Sequence, residues 1–280
     1  MRDGFKLPLR VWKSAIPPTA IVLALHGMND YSRVFEKTGT HLSKKTMLVY
    51  AYDQRGFGST AKAGYWHGSQ QMIDDAILAI ALLKQRHPKI PLYLLGESMG
   101  GAVTLLAQNA HLAGTILVAP AVWSRASMPW YQRLGLWFAV RTVPDKKLTG
   151  KGLDIQPTDN VDMLRAWSRD PLVIKATRVD ALYGVSNLMD SAAEIALNQT
   201  VDTLLLYGMN DDIIPKNPVC QLAASAFIHP GRKLDTVHYT MGYHMLTRDL
   251  QAEEVLNDIT SWIQNREILR SNTNPPLDCS

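Results

Sequence analysis

Cysteine is almost absent from this chain. Two residues in 280, Cys220 and Cys279, leave no room for a disulfide framework or a thiolate metal cluster. No apolar run reaches the ~18–20 residues that cross a bilayer as a helix. Nothing at the N-terminus reads as a signal peptide, so a cytoplasmic location is the default expectation, although a leader already removed would leave no trace. Internal repeats and low-complexity stretches are missing, which sets aside solenoids and long flexible linkers. Charge of one sign is in small excess: 29 Lys and Arg against 25 Asp and Glu give a formal net charge of +4. That excess argues for no nucleic-acid partner and licenses only a weak pull toward anionic surfaces. What remains, 46% hydrophobic and 19% charged, is ordinary globular composition. The length suits one large domain carrying an inserted subdomain, and nothing in it speaks to oligomeric state.

Short apolar runs alternate with helical patterns. Thr19–Leu25, Met47–Tyr52, Ile90–Leu95, Thr115–Ala119 and Val201–Tyr207 read as strands, and Phe5–Trp12 alternates like one. Lys233–Val237 is a further candidate. The continuous hydrophobicity of the inner runs suits a parallel sheet covered on both faces. Helices are expected at Tyr31–Leu42, Gln70–Arg86, Met99–Ala110, Pro218–Phe227 and Glu253–Arg266. Alternating strands and helices imply an α/β fold with right-handed crossovers. Residues 1–120 and 199–270 form its core, and the polar tail 271–280 reads as poorly ordered.

Between 121 and 198 the alternation stops. This stretch has no convincing strand and carries an aromatic cluster: Trp123, Trp130, Tyr131, Trp137, Phe138 and Trp167. It reads as a helical lid over the carboxyl edge of the sheet. Pro129 opens a helix whose apolar face is Trp130, Leu134, Trp137, Phe138 and Val140. Arg125, Arg133, Arg141, Lys146, Lys147 and Lys151 surround it, against Asp145. Such a helix either packs on its own domain with a solvated charged face or touches an anionic lipid surface.

Chemistry concentrates at Gly96-Glu97-Ser98-Met99-Gly100-Gly101, a G-x-S-x-G element between an expected strand and an expected helix. That context thrusts a serine out of the sheet as a nucleophile and puts the N–H groups of a helix start beside it. In such a fold the acid follows a late strand and the histidine follows the last one. Asp211 is preferred over Asp212 because it stands at the strand's exit, three residues past Gly208, whereas Asp212 leads into Ile213-Ile214. His244 is preferred over His238 because it follows Gly242-Tyr243 in a turn before the final helix. Backbone donors to an oxyanion are expected at Met99 and at Met28, in the His26-Gly27-Met28 loop; His26 itself reads as structural. Met28, Met241 and Met245, with Trp123, Trp130 and Trp137, are the candidate walls for an apolar acyl group.

Together these pieces resemble the serine α/β-hydrolases of the monoacylglycerol lipase and lysophospholipase group. The matching elements are Asp3-Gly4, Leu25-His26-Gly27, Asp53-Gln54-Arg55-Gly56-Phe57-Gly58-Ser59, the elbow around Ser98, Ser168-Arg169-Asp170-Pro171, Gly208–Pro215 and Gly242-Tyr243-His244, spread over Asp3 to Arg266. The resemblance implies an eight-stranded, mostly parallel sheet with a helical cap after the sixth strand. It implies ester hydrolysis through an acyl-serine by Ser98, His244 and Asp211, with Met28 and Met99 as oxyanion donors and no cofactor or metal. Asp53 and Arg55 would shape a loop rather than react. Two departures stand out. Lipases of the group usually carry His where this chain has Glu97, and a glycine and a glutamate where it has Asn29 and Asp30. Relatives with Glu before the serine include plant esterases acting on aromatic or other non-lipid esters. The alternatives are therefore a carboxylesterase for small or aromatic esters and a non-catalytic binding protein on the same fold.

Overall fold

A computed structural model of the chain describes residues 1, 3–196, 201–224 and 233–266. Its centre is a seven-stranded sheet in the order β1-β3-β2-β4-β5-β8-β9. The strands are β1 Leu9–Trp12, β2 Ala20–Leu25, β3 Met47–Tyr52, β4 Leu92–Glu97, β5 Gly114–Val118, β8 Thr203–Gly208 and β9 Leu234–Tyr239. Only β1 runs antiparallel, against β3. The resemblance implies eight strands. Among the described residues the N-terminal segment contributes one short strand, because the alternation from Phe5 pairs with β3 only from Leu9 onward.

The apolar runs sort by parity into two cores. Ile21, Leu23 and Leu25 of β2 face one layer, and Ala20, Val22 and Ala24 the other. The two faces of β3 divide in the same way. This period of two on a fully buried strand is why every position is hydrophobic. Four helices supply buried residues to the first core: α2 Ser69–Arg86, α3 Met99–Ala107, α6 Val179–Ile195 and α7 Lys216–Ala224. The second core lies under α1 Glu36–Lys44 and α8 Ala252–Asn265, where Trp262 is fully buried. The expected helix end at 225–227, residues 197–200 and the tail 271–280 lie outside the described residues.

Residues 119–178 leave the layered core between β5 and α6. They form α4 Trp130–Thr142, α5 Val161–Arg169, and a two-residue antiparallel ladder of β6 Lys147–Leu148 and β7 Thr177–Arg178. Helix α6, grouped with this insertion by its sequence position, packs its buried face on the main core instead.

The Asp53–Ser59 element is structural, as its motif suggests. Asp53 accepts from Ser32 N at 3.0 Å, Ser32 Oγ at 2.6 Å and Ser59 N at 2.9 Å, tying two loops together. Arg55 is buried, pairs with buried Asp75, and reaches Asp3 at 2.6 Å, which explains why Asp3 belongs to the pattern. Removing one member of a buried pair strands the other charge. Arg55→Met is expected to lower unfolding free energy by about 3–5 kcal/mol, read from the denaturant midpoint; a loss below about 1 kcal/mol, the scale of a surface pair, contradicts this account.

Candidate active site

Ser98 joins β4 to α3 with φ 54° and ψ −117°, a region side chains avoid. Such strain costs on the order of 1–3 kcal/mol and persists only where the surroundings enforce it. Here Ser98 N donates to Val118 O on neighbouring β5, and Ser98 O accepts from Gly101, Ala102 and Ala121. A Cβ on Gly100 would overlap the Leu25 carbonyl, so only glycine lets α3 start this close to β2. Across the edge, a Cβ on Gly27 would stand 3.2 Å from Ser98 Cβ and 3.8 Å from its Oγ. The loop after β2 therefore lies directly against the serine. Met99 opens α3 immediately after Ser98 and is fully buried, while Met28 sits half-buried in the β2 loop.

The late strands deliver the polar pair. Asp211 follows β8, and its Oδ1 accepts from Ile213 N at 2.8 Å and Ile214 N at 2.9 Å. Its Oδ2 lies 2.8 Å from His244 Nδ1, in the turn after β9, and both side chains are buried. That contact requires a proton on Nδ1 and leaves Nε2 as the available base. Asp212 does something different: its carboxylate accepts from Gln156 N at 3.2 Å, in the insertion. His238 lies within β9 itself, where burial holds its pKa below the ordinary imidazole value. His26 is structural: Nε2 accepts from Gln54 N at 2.9 Å, Nδ1 faces Gly27 O at 2.8 Å, and burial pushes its pKa down.

The insertion is fastened to each of these loops. On the β2 loop, Asn29 O accepts from Ile174 N at 3.0 Å and Asn29 Nδ2 donates to Thr177 Oγ1 at 2.8 Å. Asp30 Oδ1 accepts from Trp167 Nε1 at 2.7 Å, and Tyr31 OH donates to Asp170 Oδ2 at 2.6 Å. On the histidine loop, Met245 N donates to Pro157 O, Leu250 N to Asp159, and Asn160 Nδ2 to Arg248 O. Asn29 has φ 66°, so it fills the usual glycine's place with a residue that tolerates left-handed backbone.

Glu97 does not face a substrate. On β4 it shares parity with Tyr93 and Leu95, which point to the α1/α8 face. Its carboxylate is buried on Arg248, and Thr247 Oγ1 donates to it at 3.0 Å. Arg248 also reaches Asp30 Oδ2 at 3.1 Å. Burial works against the Arg248 cation, yet Glu97 and Asp30 hold its pKa above the ordinary guanidinium value. Burial pushes the Asp30 carboxyl up, with Arg248 opposing and Glu97 adding to the rise. Sequence reasoning missed Arg248, Thr247 and the roles of Asp30 and Trp167. The only available signal was the pairing of two unusual acids, at 30 and 97, with an arginine four residues past the candidate base.

The other expected contacts separate. Trp130 and Trp137 line a cleft of about 1020 Å³, with Ser124, Leu134, Arg133 and Glu194. Trp123 is half-buried against the main core, Met245 is buried, and Met241 is exposed on the surface. Helix α4 buries none of its residues: Trp130 is 72% exposed, and Tyr131, Leu134, Trp137 and Phe138 are exposed beside it. The expectation that its apolar face packs on its own domain therefore fails. Val140 alone of that face is half-buried.

Comparison with known proteins places the chain among hydrolases. Human monoglyceride lipase is 26% identical over 288 residues, covering 98% of this chain and 92% of its own length. Phospholipase YtpA of Bacillus subtilis is 30% identical over 181 residues, 61% of this chain and 63% of its own. The crystal structure of Paleococcus ferrophilus monoacylglycerol lipase superposes with a TM-score of 0.78 at 22% identity, covering 92% of this chain and 98% of that one, a likeness of fold. The family model described as Hydrolase_4, serine aminopeptidase, S33, matches residues 16–251. With the match covering most of the chain, from before β2 to past the histidine loop, the chain belongs to this family of serine α/β-hydrolases.

Proposed function

We propose that the chain is a carboxylester hydrolase for monoacylglycerol- or lysophospholipid-like esters, with Ser98 as nucleophile, His244 as base and Asp211 as the orienting acid. The carrying observation is the buried 2.8 Å contact between Asp211 and His244, at the same sheet edge as a serine held at positive φ. In this reading Ser98 Oγ attacks the ester carbonyl as His244 Nε2 takes its proton. The carbonyl oxygen, now negative, is stabilised by the N–H groups of Met28 and Met99. His244 then protonates the departing alcohol, and water repeats the sequence to release the acid. The names of the relatives, lipases for monoacylglycerols and a phospholipase, support the substrate class.

Helix α4 acts as the contact with lipid surfaces. Its unburied aromatics are followed by exposed Val143, Leu148, Leu153 and Ile155, and Arg141, Lys146, Lys147 and Lys151 stand exposed among them. Apolar side chains left largely exposed and rimmed by cations suit an anionic bilayer interface. No described helix is long and apolar enough to cross the membrane, so the contact is peripheral.

Ser98→Ala is expected to abolish turnover and fluorophosphonate labelling. Asp211→Asn should lower kcat by about 10⁴, whereas Asp212→Asn leaves it near wild type; equal losses from the two aspartates would defeat the assignment. With a series of monoacylglycerols and nitrophenyl esters, kcat/KM should rise with acyl length. A maximum at acetate or butyrate points to the small-ester alternative instead.

Vesicle sedimentation tests the surface. Replacing Trp130, Trp137 and Phe138 together by serine should weaken binding to anionic vesicles at least about tenfold, and added salt should weaken the wild type. Wild-type protein that stays in the supernatant with anionic vesicles at low salt excludes the docking role.

A further inference from the structure

One buried guanidinium touches the loops that carry three different parts of the proposed chemistry. Arg248 lies four residues past His244, and Thr247 beside it donates to Glu97. Arg248 Nη2 pairs with Glu97, the residue immediately before Ser98. Arg248 Nη1 pairs at 3.1 Å with Asp30, two residues past Met28. We propose that Arg248 is a positioning residue for ester cleavage, holding the oxyanion loop in register with the serine turn, and that Trp167 makes this register depend on the insertion. The proposal rests on the ester-hydrolase reading above.

Three observations carry it. First, the fork geometry of a guanidinium lets it bond two carboxylates at once in fixed directions. Glu97 and Asp30 are thereby held at a set separation, although they lie on adjacent strands' exits. Second, the cluster is an inefficient source of stability. Two carboxylates and one arginine are almost wholly withdrawn from water, and such groups can often be exchanged for neutral ones of like volume at little cost. What neutral groups do not reproduce is the geometry. Oxyanion donors work only when aimed within a few tenths of an ångström of the developing charge. Third, α5 has no buried residue, and a cavity of about 280 Å³ lies between Met163, Ala166 and Trp167 of α5 and Tyr31, Val34 and Lys37. Polar contacts such as Trp167 Nε1 to Asp30 at 2.7 Å, rather than close packing, hold this helix to the loop.

The test compares Arg248→Met with the triple variant Asp30→Asn, Glu97→Gln, Arg248→Met, measuring kcat, KM and melting temperature on a long-chain monoacylglycerol. Wild type and Ser98→Ala set the window. Arg248→Met should lower kcat by about 10²–10³ with KM changed less than about threefold, and it should melt early because two carboxylates are left unpaired. The triple variant should recover most of the melting temperature and little of the kcat. If kcat returns together with stability, or if Arg248→Met keeps wild-type kcat, the positioning role is overturned. Trp167→Phe keeps an aromatic side chain and removes the indole donor together with its pyrrole ring, so it reads the same coupling even where the Arg248 variants do not fold. It should lower kcat by about three- to tenfold with a smaller fall in melting temperature than Arg248→Met, because Asp30 loses one donor and keeps Arg248, and an unchanged kcat overturns the proposal. If wild type and Ser98→Ala do not differ, the hydrolase reading itself fails and takes this one with it; a clear difference that Arg248→Met leaves intact defeats the positioning role alone.

Discussion

Holding a serine at φ 54° between a strand and a helix is unfavourable for the isolated segment, and the surrounding fold must supply the difference. Much of the molecule can be understood from that requirement. Strand β4 is central, with β2 and β5 on either side, so both neighbours can grip the turn. Val118 of β5 accepts from Ser98 N, and the Leu25 carbonyl of β2 fits against a helix start that has no side chain at position 100. A parallel sheet covered on both faces makes these neighbours rigid, because each strand is packed through two cores at once. The same parallel order gathers the loops after β2, β4, β8 and β9 at one edge, where Gly27 lies against Ser98 and Asp211 meets His244.

The insertion between β5 and α6 meets this edge through hydrogen bonds and through apolar residues such as Val122 and Ile174 on the first core. Its polar contacts fall on the loops after β2, β8 and β9 and, through Arg125, on α6, and leave α4 unburied. An element with few buried residues opens at lower free energy than the layered core beneath it. In the proposed function, that division would let the sheet hold the reacting groups while the insertion adjusts to an interface.

Much of this was legible in the sequence for identifiable reasons. The inner strands declared themselves because a doubly buried strand must be apolar at every position, and Ala20–Leu25 and Met47–Tyr52 are. Asp211 and His244 could be picked from close competitors because chain order and strand exits constrain them, and the structure brings these two together while Asp212 and His238 go elsewhere. The ion cluster was not legible. Arg248 meets Glu97 and Asp30 across 151 and 218 residues, and no local periodicity encodes such a contact. The face of α4 misled for a related reason. Amphipathic spacing shows that a helix has an apolar side, but not whether protein or lipid covers it.

Glu97 shows how a local signal changes meaning once its direction is known. Its place beside the nucleophile invites reading it as a marker of substrate class. Yet a strand alternates its side chains, and position 97 falls on the face of Tyr93 and Leu95, away from the first core. A carboxylate there meets no acyl group; it needs a cation, and Arg248 is that cation. The replacement of a glutamate by Asp30 then belongs to the same exchange, because one guanidinium serves both acids. The two departures from the lipase pattern are thus parts of one buried arrangement rather than two independent hints about specificity. The direction of Glu97 therefore carries no information about the acyl group, and its place in the chain is explained by the buried cation it meets.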